Sequence, residues 1–244
     1  MLWIGTSGFQ YPEWKGTFYP EKMATAKMLA YYAERFNTTE INYTFYRMPS
    51  FKTLEGWAAQ TPAHFKFTLK ASKRITHLAR LQNCEQLAAD FCEIAGNLGS
   101  KLGMLLFQLP PNMKKDVAVL DKFLAALPPG ANAAFEFRHA SWHDGEVFDC
   151  LRKHRQTLCI ADSEKMSTPL EITSDHAYFR LRDEGYGPDD IARWAKTVAN
   201  VQAQCREVYV YFKHEEKGLG PEFAKQLEKL LAAPAQQSSS ETAG

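Results

Sequence analysis

Charged side chains recur at alternate positions inside otherwise apolar runs. Lys66, Thr68 and Lys70 interleave with Phe65, Phe67 and Leu69; Glu136 and Arg138 flank Phe137; Glu40 and Asn42 flank Ile41. Successive side chains of a β-strand point to opposite faces, so each run predicts a strand with an apolar face and a charged one. Gln108, Asp162, Arg180 and Arg182 end further apolar runs in the same way. A charge inside a sheet costs several kcal/mol unless it is paired or close to water. Charges late in their strands are therefore expected to line an open, solvated site. There Lys70, Arg138 and Arg180 suit a phosphate or carboxylate, the arginines as planar forks and the lysine as a point charge. Glu136 and Glu40 are the candidate proton acceptors, with Lys70 and His139 completing the expected acid/base set. In such a mouth Glu136→Gln is expected to spare folding while abolishing ligand binding. The competing reading is a structural salt-bridge layer that closes the sheet.

His77, in Ile75-Thr-His-Leu, and His139, in Arg138-His-Ala-Ser-Trp142, each follow a predicted strand closely, and histidine titrates near neutral pH. Gly5-Thr-Ser-Gly8 leads into an aromatic loop containing Phe9, Tyr11 and Trp14, where Tyr11 is a candidate pocket wall. Ser7 lacks a G-x-S-x-G context, which argues against a hydrolase nucleophile. Glu40, Glu136, Asp162 and His139 could ligate a divalent ion, but no H-x-H, H-E-x-x-H or D-x-D spacing occurs and the adjacent cations oppose one. No metal and no cofactor is expected. The five cysteines are odd in number and lack C-x-x-C spacing, pointing to reduced thiols in cytosol.

These residues need a scaffold, and its elements can be read along the chain. Short β-rich runs, Leu2 to Gly5, Thr38 to Asn42, Phe65 to Ala71, Leu102 to Gln108, Ala133 to Arg138, Thr157 to Ala161, Ala177 to Arg182 and Val208 to Phe212, alternate with helical periods. The helices are expected over Ala24 to Phe36, Phe51 to Gln60, Glu85 to Leu98, Val117 to Leu127, Glu146 to His154, Asp189 to Cys205 and Glu222 to Leu231. Asp162 to Thr173 carries the weakest pattern. Eight βα units predict an α/β protein, a single-domain TIM (β/α)8 barrel over residues 1–232, with an open doubly wound sheet as the alternative. Residues 233–244, without apolar anchors, are expected to form a disordered C-terminal tail. Of the 244 residues 45% are hydrophobic and 23% charged, which fits a folded chain rather than a disordered one. The formal net charge of +1 excludes a global field for nucleic acid or an anionic membrane, so anion binding must be local. Without a leader pattern or a run long enough to span a bilayer, the expected location is the cytoplasm.

Several segments together resemble one family. Gly5-Thr-Ser-Gly-Phe-Gln-Tyr-Pro-Glu-Trp-Lys-Gly16, Phe18-Tyr-Pro20, Thr39-Glu-Ile-Asn-Tyr-Thr-Phe-Tyr46, Phe67-Thr-Leu-Lys70, Ile75-Thr-His77, Lys101-Leu-Gly-Met-Leu-Leu-Phe-Gln-Leu-Pro-Pro111, Glu136-Phe-Arg-His-Ala-Ser-Trp142, Tyr178-Phe-Arg-Leu181 and Val208-Tyr-Val-Tyr-Phe212 resemble the domain of unknown function 72, or YecE-like, family. The resemblance implies a TIM barrel and no particular reaction. It implies that Thr6, Ser7, Tyr11, Glu40, Asn42, Tyr46, Lys70, His77, Gln108, Glu136, Arg138, His139, Trp142, Asp162 and Arg180 lie near the barrel mouth. Arg180-Leu-Arg-Asp183 and Lys213-His-Glu-Glu216 depart from the family's common pattern. The expected function is acid/base catalysis on a small anionic or sugar-like substrate, phosphorylated ones included. Beside it stand a metal-dependent phosphodiesterase or endonuclease acting on nucleic acid, and a non-catalytic barrel that binds a ligand or partner. The sequence does not set the oligomeric state.

Overall fold

The computed structural model describes residues 1–215 and 218–232; the expected tail, 233–244, lies outside the described residues, as do Glu216 and Lys217. Eight parallel strands close on themselves: β1 (Leu2–Ser7), β2 (Thr38–Ile41), β3 (Lys66–Lys70), β4 (Leu102–Gln108), β5 (Ala133–Glu136), β6 (Thr157–Ser163), β8 (His176–Leu181) and β9 (Glu207–Phe212). Neighbours follow the order β5, β4, β3, β2, β1, β9, β8, β6, and the pairing of β5 with β6 completes the barrel. Closure excludes the open doubly wound alternative. The short β7 (Met166–Ser167) folds back antiparallel on the end of β6. That hairpin occupies the stretch where the helical pattern is weakest, and no helix follows β6.

Around the barrel run α1 (Met28–Ala33), α2 (Tyr43–Tyr46), α3 (Phe51–Ala59), α4 (Glu85–Gly96), α5 (Val117–Ala126), α6 (Gly145–Lys153), α7 (Pro188–Gln202) and α8 (Leu219–Ala232). Their starts follow local chemistry. Ser50 accepts from the Thr53 N–H, Asp116 from Val119 and Asp144 from Glu146, each satisfying an otherwise orphaned donor of a first turn.

Two separate cores confirm the strand parity. The outer one, between sheet and helices, holds Phe65, Phe67, Leu69, Phe135 and Phe137. The inner one, inside the barrel, holds Trp3, Met104, Leu106, Ala134, Cys159, Tyr178, Tyr209 and Tyr211. Thr68 and Thr38 share the hydroxyl of Tyr211 at 2.8 and 2.7 Å, so the polar residues of this layer satisfy one another. At Gly5 a Cβ would lie 2.1 Å from the Thr38 carbonyl oxygen, and only glycine permits the approach of β1 to β2. The upper layer, toward the C-terminal ends of the strands, is charged.

Candidate functional site at the barrel mouth

Arg180, the penultimate residue of β8, shares the inner face with Tyr178 and is fully buried at the centre of this layer. Its Nε bonds both Glu40 oxygens at 3.0 and 2.9 Å, and Nη2 bonds Glu40 Oε1 at 2.7 Å. Nη1 reaches Glu136 Oε2 at 2.9 Å, and Nη2 also donates to Ser7 Oγ at 3.2 Å. Glu40 further accepts from the Ser7 hydroxyl and from Tyr178 at 2.5 Å. Glu136 further accepts from Gln108 Nε2 and Arg138 Nε, each at 2.9 Å. The result is a continuous chain from Glu40 through Arg180 and Glu136 to Arg138.

Burial alone would raise both carboxyls, but Arg180, joined at Glu136 by Arg138, holds each below the usual carboxylate range. Burial would likewise lower Arg180, and Glu40 with Glu136 holds it well above its ordinary value. All three groups stay charged, and the network is saturated rather than poised for proton exchange.

Several of the expected groups lie deeper, or turn to other partners, than alternation along the strands alone implies. Glu40 and Glu136 are fully buried beneath the mouth rather than solvated in it, and their lone pairs are occupied by donors. They form the salt-bridge layer that was the competing reading. Arg180, expected to grip an anion, spends its donors on those carboxylates. Gln108 is buried with its amide on Glu136. Trp142, in the 3₁₀ turn Ala140–Trp142 beyond β5, lies in the outer core, stacked on Phe137 at 4.6 Å with its N–H on the Met113 carbonyl. Asp162 faces opposite to Ala161 and accepts from the Tyr186 hydroxyl at 2.8 Å. His139 turns to its own loop, where Nδ1 accepts from the Ser141 N–H.

Lys70 behaves differently. It ends β3 nearly buried, 8% exposed, yet among the described residues its ammonium makes no hydrogen bond or ion pair. Nζ lies 4.3 Å from the centroid of the Phe45 ring, a cation–π contact. Burial, reinforced by Arg180 and partly offset by Glu136 and Glu40, brings this amine down to about 7. His77 packs edge-on against the same Phe45 ring at 4.9 Å, on a single π-helical turn, Arg74–Leu78. Burial, then Lys70 and Arg138, lower its ring. Nδ1 lies 2.9 Å from the Thr76 hydroxyl.

Two cavities open on this face. One, of about 390 Å³, is lined by Arg138, Arg182, Lys165 and Lys213 with Glu164 and Glu184. Arg182 is half-buried, and its Nε is buried without a partner. The other, of about 320 Å³, is lined by Tyr11, Asn42, Tyr43 and Trp57. Tyr11 donates to the Ser7 carbonyl at 2.8 Å and Asn42 Nδ2 to the Ser7 hydroxyl at 2.8 Å. Tyr46 is exposed on the rim with Lys73 Nζ 5.7 Å from its ring.

Tyr178 and Phe45 are the functional neighbours that strand reading overlooked. Tyr178 shares the face of Arg180 two residues away, so parity alone could have found it. Phe45 reaches Lys70 across space from α2, and no sequence signal joins them. Glu40 and Glu136 would be the mouth's ligands for a divalent ion, yet both are bound to guanidinium. Among the described residues, the one cluster of potential ligands is Asp121, Cys150 and His154, between α5 and α6 on the outside of the barrel, where Lys153 also bonds Asp121 at 2.7 Å.

A family model described as a protein of unknown function, DUF72, matches residues 3–243. UPF0759 protein YunF of Bacillus subtilis (strain 168) is 24% identical over 276 residues, covering 95% of each chain. UPF0759 protein YecE of Escherichia coli O157:H7 is 30% identical over 179 residues, covering 72% of this chain and 63% of its own. The crystal structure of a DUF72 family protein from Thermotoga maritima MSB8 superposes with a TM-score of 0.87 at 29% identity, over 96% of this chain and all (100%) of that one. A DUF72 family protein of Enterococcus faecalis V583 shares the fold, with a TM-score of 0.81 at 20% identity over 96% of each chain. With its motifs, closed barrel and full-length match, this chain belongs to the DUF72 family.

Proposed function

We propose that this protein is an enzyme that performs acid/base chemistry at the C-terminal mouth of its barrel on a small substrate carrying an anionic group, phosphorylated sugars among the candidates. One observation carries the reading: the two buried carboxylates are committed to Arg180 and, at Glu136, to Arg138 as well, while among the described residues Lys70 and Arg182 make no ion pair and add positive charge at the mouth. Arg138 and Arg182 border the larger cavity and hold the anion. Lys70, near neutrality, donates or accepts the proton. Glu136 positions Arg138, and Arg180 fixes the two carboxylates from below. The phosphodiesterase reading has less support, because the carboxylates it would use as metal ligands are engaged by guanidinium. The five free thiols agree with a cytoplasmic location, and among the described residues no helix is long and apolar enough to cross a membrane.

Isothermal titration with sulfate, which stays a dianion from pH 6 to 9, tests the reading. Wild type is expected to bind sulfate more tightly at pH 6 than at pH 9, as Lys70 gains its proton. Arg182→Met is expected to weaken binding about tenfold, the value of one charge-assisted hydrogen bond. Sulfate binding that is absent, or unchanged by both pH and Arg182→Met, overturns it.

A further inference from the structure

We propose that Lys70 is a covalent nucleophile: its amine condenses with an aldehyde or ketone that also carries a phosphate or carboxylate, forming an imine within the mouth. The inference rests on the anion-binding reading above and adds the carbonyl group to the substrate's description.

A lysine attacks a carbonyl only with a free lone pair, no ion pair to break, and an approach for the electrophile. Lys70 ends β3 toward the mouth, 8% exposed, and among the described residues its amine makes no ion pair. The strand end fixes its stem on the inner face, and the flat ring of Phe45 supports Nζ at 4.3 Å. Its acidic neighbours cannot claim it: Glu40 of β2 and Glu136 of β5 turn to Arg180. The cations facing it, Arg180 of β8 and Arg138 just beyond β5, oppose protonation, and His77 packs edge-on with the same Phe45 ring. Burial and these charges leave a large fraction of the amine neutral at physiological pH. Arg138, whose charge acts on Lys70, also lines the larger cavity, so the proposal puts the anion there and the carbonyl at Lys70.

The chemistry balances without an oxidant or reductant. The nitrogen lone pair forms the C–N bond while the carbonyl π pair moves to oxygen. The nitrogen loses a proton and the oxygen gains one, giving a carbinolamine. Loss of its hydroxyl with a second proton from nitrogen releases one water and leaves the imine. A proton taken up from solvent gives the iminium, which withdraws electrons from the adjacent carbon. Bond making or breaking at that carbon is the class of reaction such a site serves.

The test uses the full chain with glyoxylate or glycolaldehyde phosphate and sodium cyanoborohydride, which reduces an imine to a stable secondary amine. Peptide mass spectrometry then reads the adduct at each lysine, with propionaldehyde as the uncharged comparison. At pH 7 the anionic aldehydes are expected to label Lys70 at least tenfold faster than any other lysine, whereas propionaldehyde gives less preference. The Lys70 rate is expected to level off near pH 7, while that of surface lysines keeps rising beyond pH 9. Arg182→Met is expected to cut Lys70 labelling about tenfold, and sulfate to protect it. Labelling of Lys70 no faster than of surface lysines overturns the proposal. If sulfate still binds with Arg182 dependence in that case, the imine alone fails and the anion-binding reading stands. If sulfate binding is also absent, both fall.

Discussion

Replacing Glu136 by glutamine keeps its shape and removes its charge, and the cost follows from three contacts. The carboxylate lies 2.9 Å from Arg180 Nη1, Arg138 Nε and Gln108 Nε2, with no exposed surface of its own. At an effective dielectric of about 20 a pair of charges near 4 Å apart is worth about 4 kcal/mol, and Arg138, 27% exposed, adds less. Relief of the glutamate's own desolvation offsets part of this, and breaking one side of a buried ion pair costs about 3–5 kcal/mol net. Arg180 keeps its two-pronged bond to Glu40, which places Glu136→Gln at the lower end, about 3 kcal/mol. The new amide also aims an N–H at a neighbour that is itself a donor. For a chain of this size that is a fall of about 6–12 °C in melting temperature. Urea and thermal melts beside wild type measure it. The pH dependence supplies a second check. The folded carboxyl is depressed, so its contribution is complete above the unfolded value of about 4.3 and is lost as pH falls toward the folded one. The gap between variant and wild type is expected to be constant from pH 8 to about 5 and to narrow at more acid pH. A variant within about 0.5 kcal/mol of wild type at pH 7 would refute the buried network.

Lys70→Met is expected to stabilise the fold by about 1–2 kcal/mol at pH 6 while abolishing sulfate's pH dependence, because the site sacrifices stability to keep a desolvated amine. Since the folded amine lies near 7 and the unfolded one near 10.4, wild-type stability rises with pH across that interval and the variant's does not. Tyr178→Phe removes a hydroxyl bonded to buried Glu40 at 2.5 Å and is expected to cost about 1.5–3 kcal/mol in a urea melt, without moving sulfate affinity. Trp142→Phe loses the bond to the Met113 carbonyl and part of a stack, and is expected to lower stability by about 1–3 kcal/mol, again with sulfate binding unchanged.

The barrel was legible because its signal is local and repeated. In β3 and β5 the phenylalanines and the charges alternate without a break, and period two is a property of the backbone, so Lys70, Glu136 and Arg138 had to share the inner face. Residue order also carried β4, whose bounds Leu102–Gln108 coincide with the expected ones. What parity cannot supply is depth along the barrel axis and choice of partner. Glu40, Glu136 and Arg180 come from strands far apart in sequence that meet only when the barrel closes, so whether they open to water or neutralise one another is a three-dimensional fact. Trp142 and Asp162 are placed by simpler features: Trp142 follows β5 in the 3₁₀ turn Ala140–Trp142 and packs in the outer core, and Asp162 near the end of β6 faces Tyr186 rather than the barrel interior. The helices were extended too far where a tight turn replaces them, as at Ala24 to Phe36, which divides into the single 3₁₀ turn Thr25–Lys27 and a shorter α1.

In the proposed function, the surplus cations of this mouth hold an anion above a neutralised carboxylate layer. A crystal soaked in selenate, an isostere of sulfate, and measured at the selenium edge locates that anion directly. An anomalous peak is expected in the cavity of about 390 Å³, within hydrogen-bonding distance of both Arg138 and Arg182, and is expected to be lost in Arg182→Met. A peak confined to other surface lysines, or a cavity with none, would contradict it.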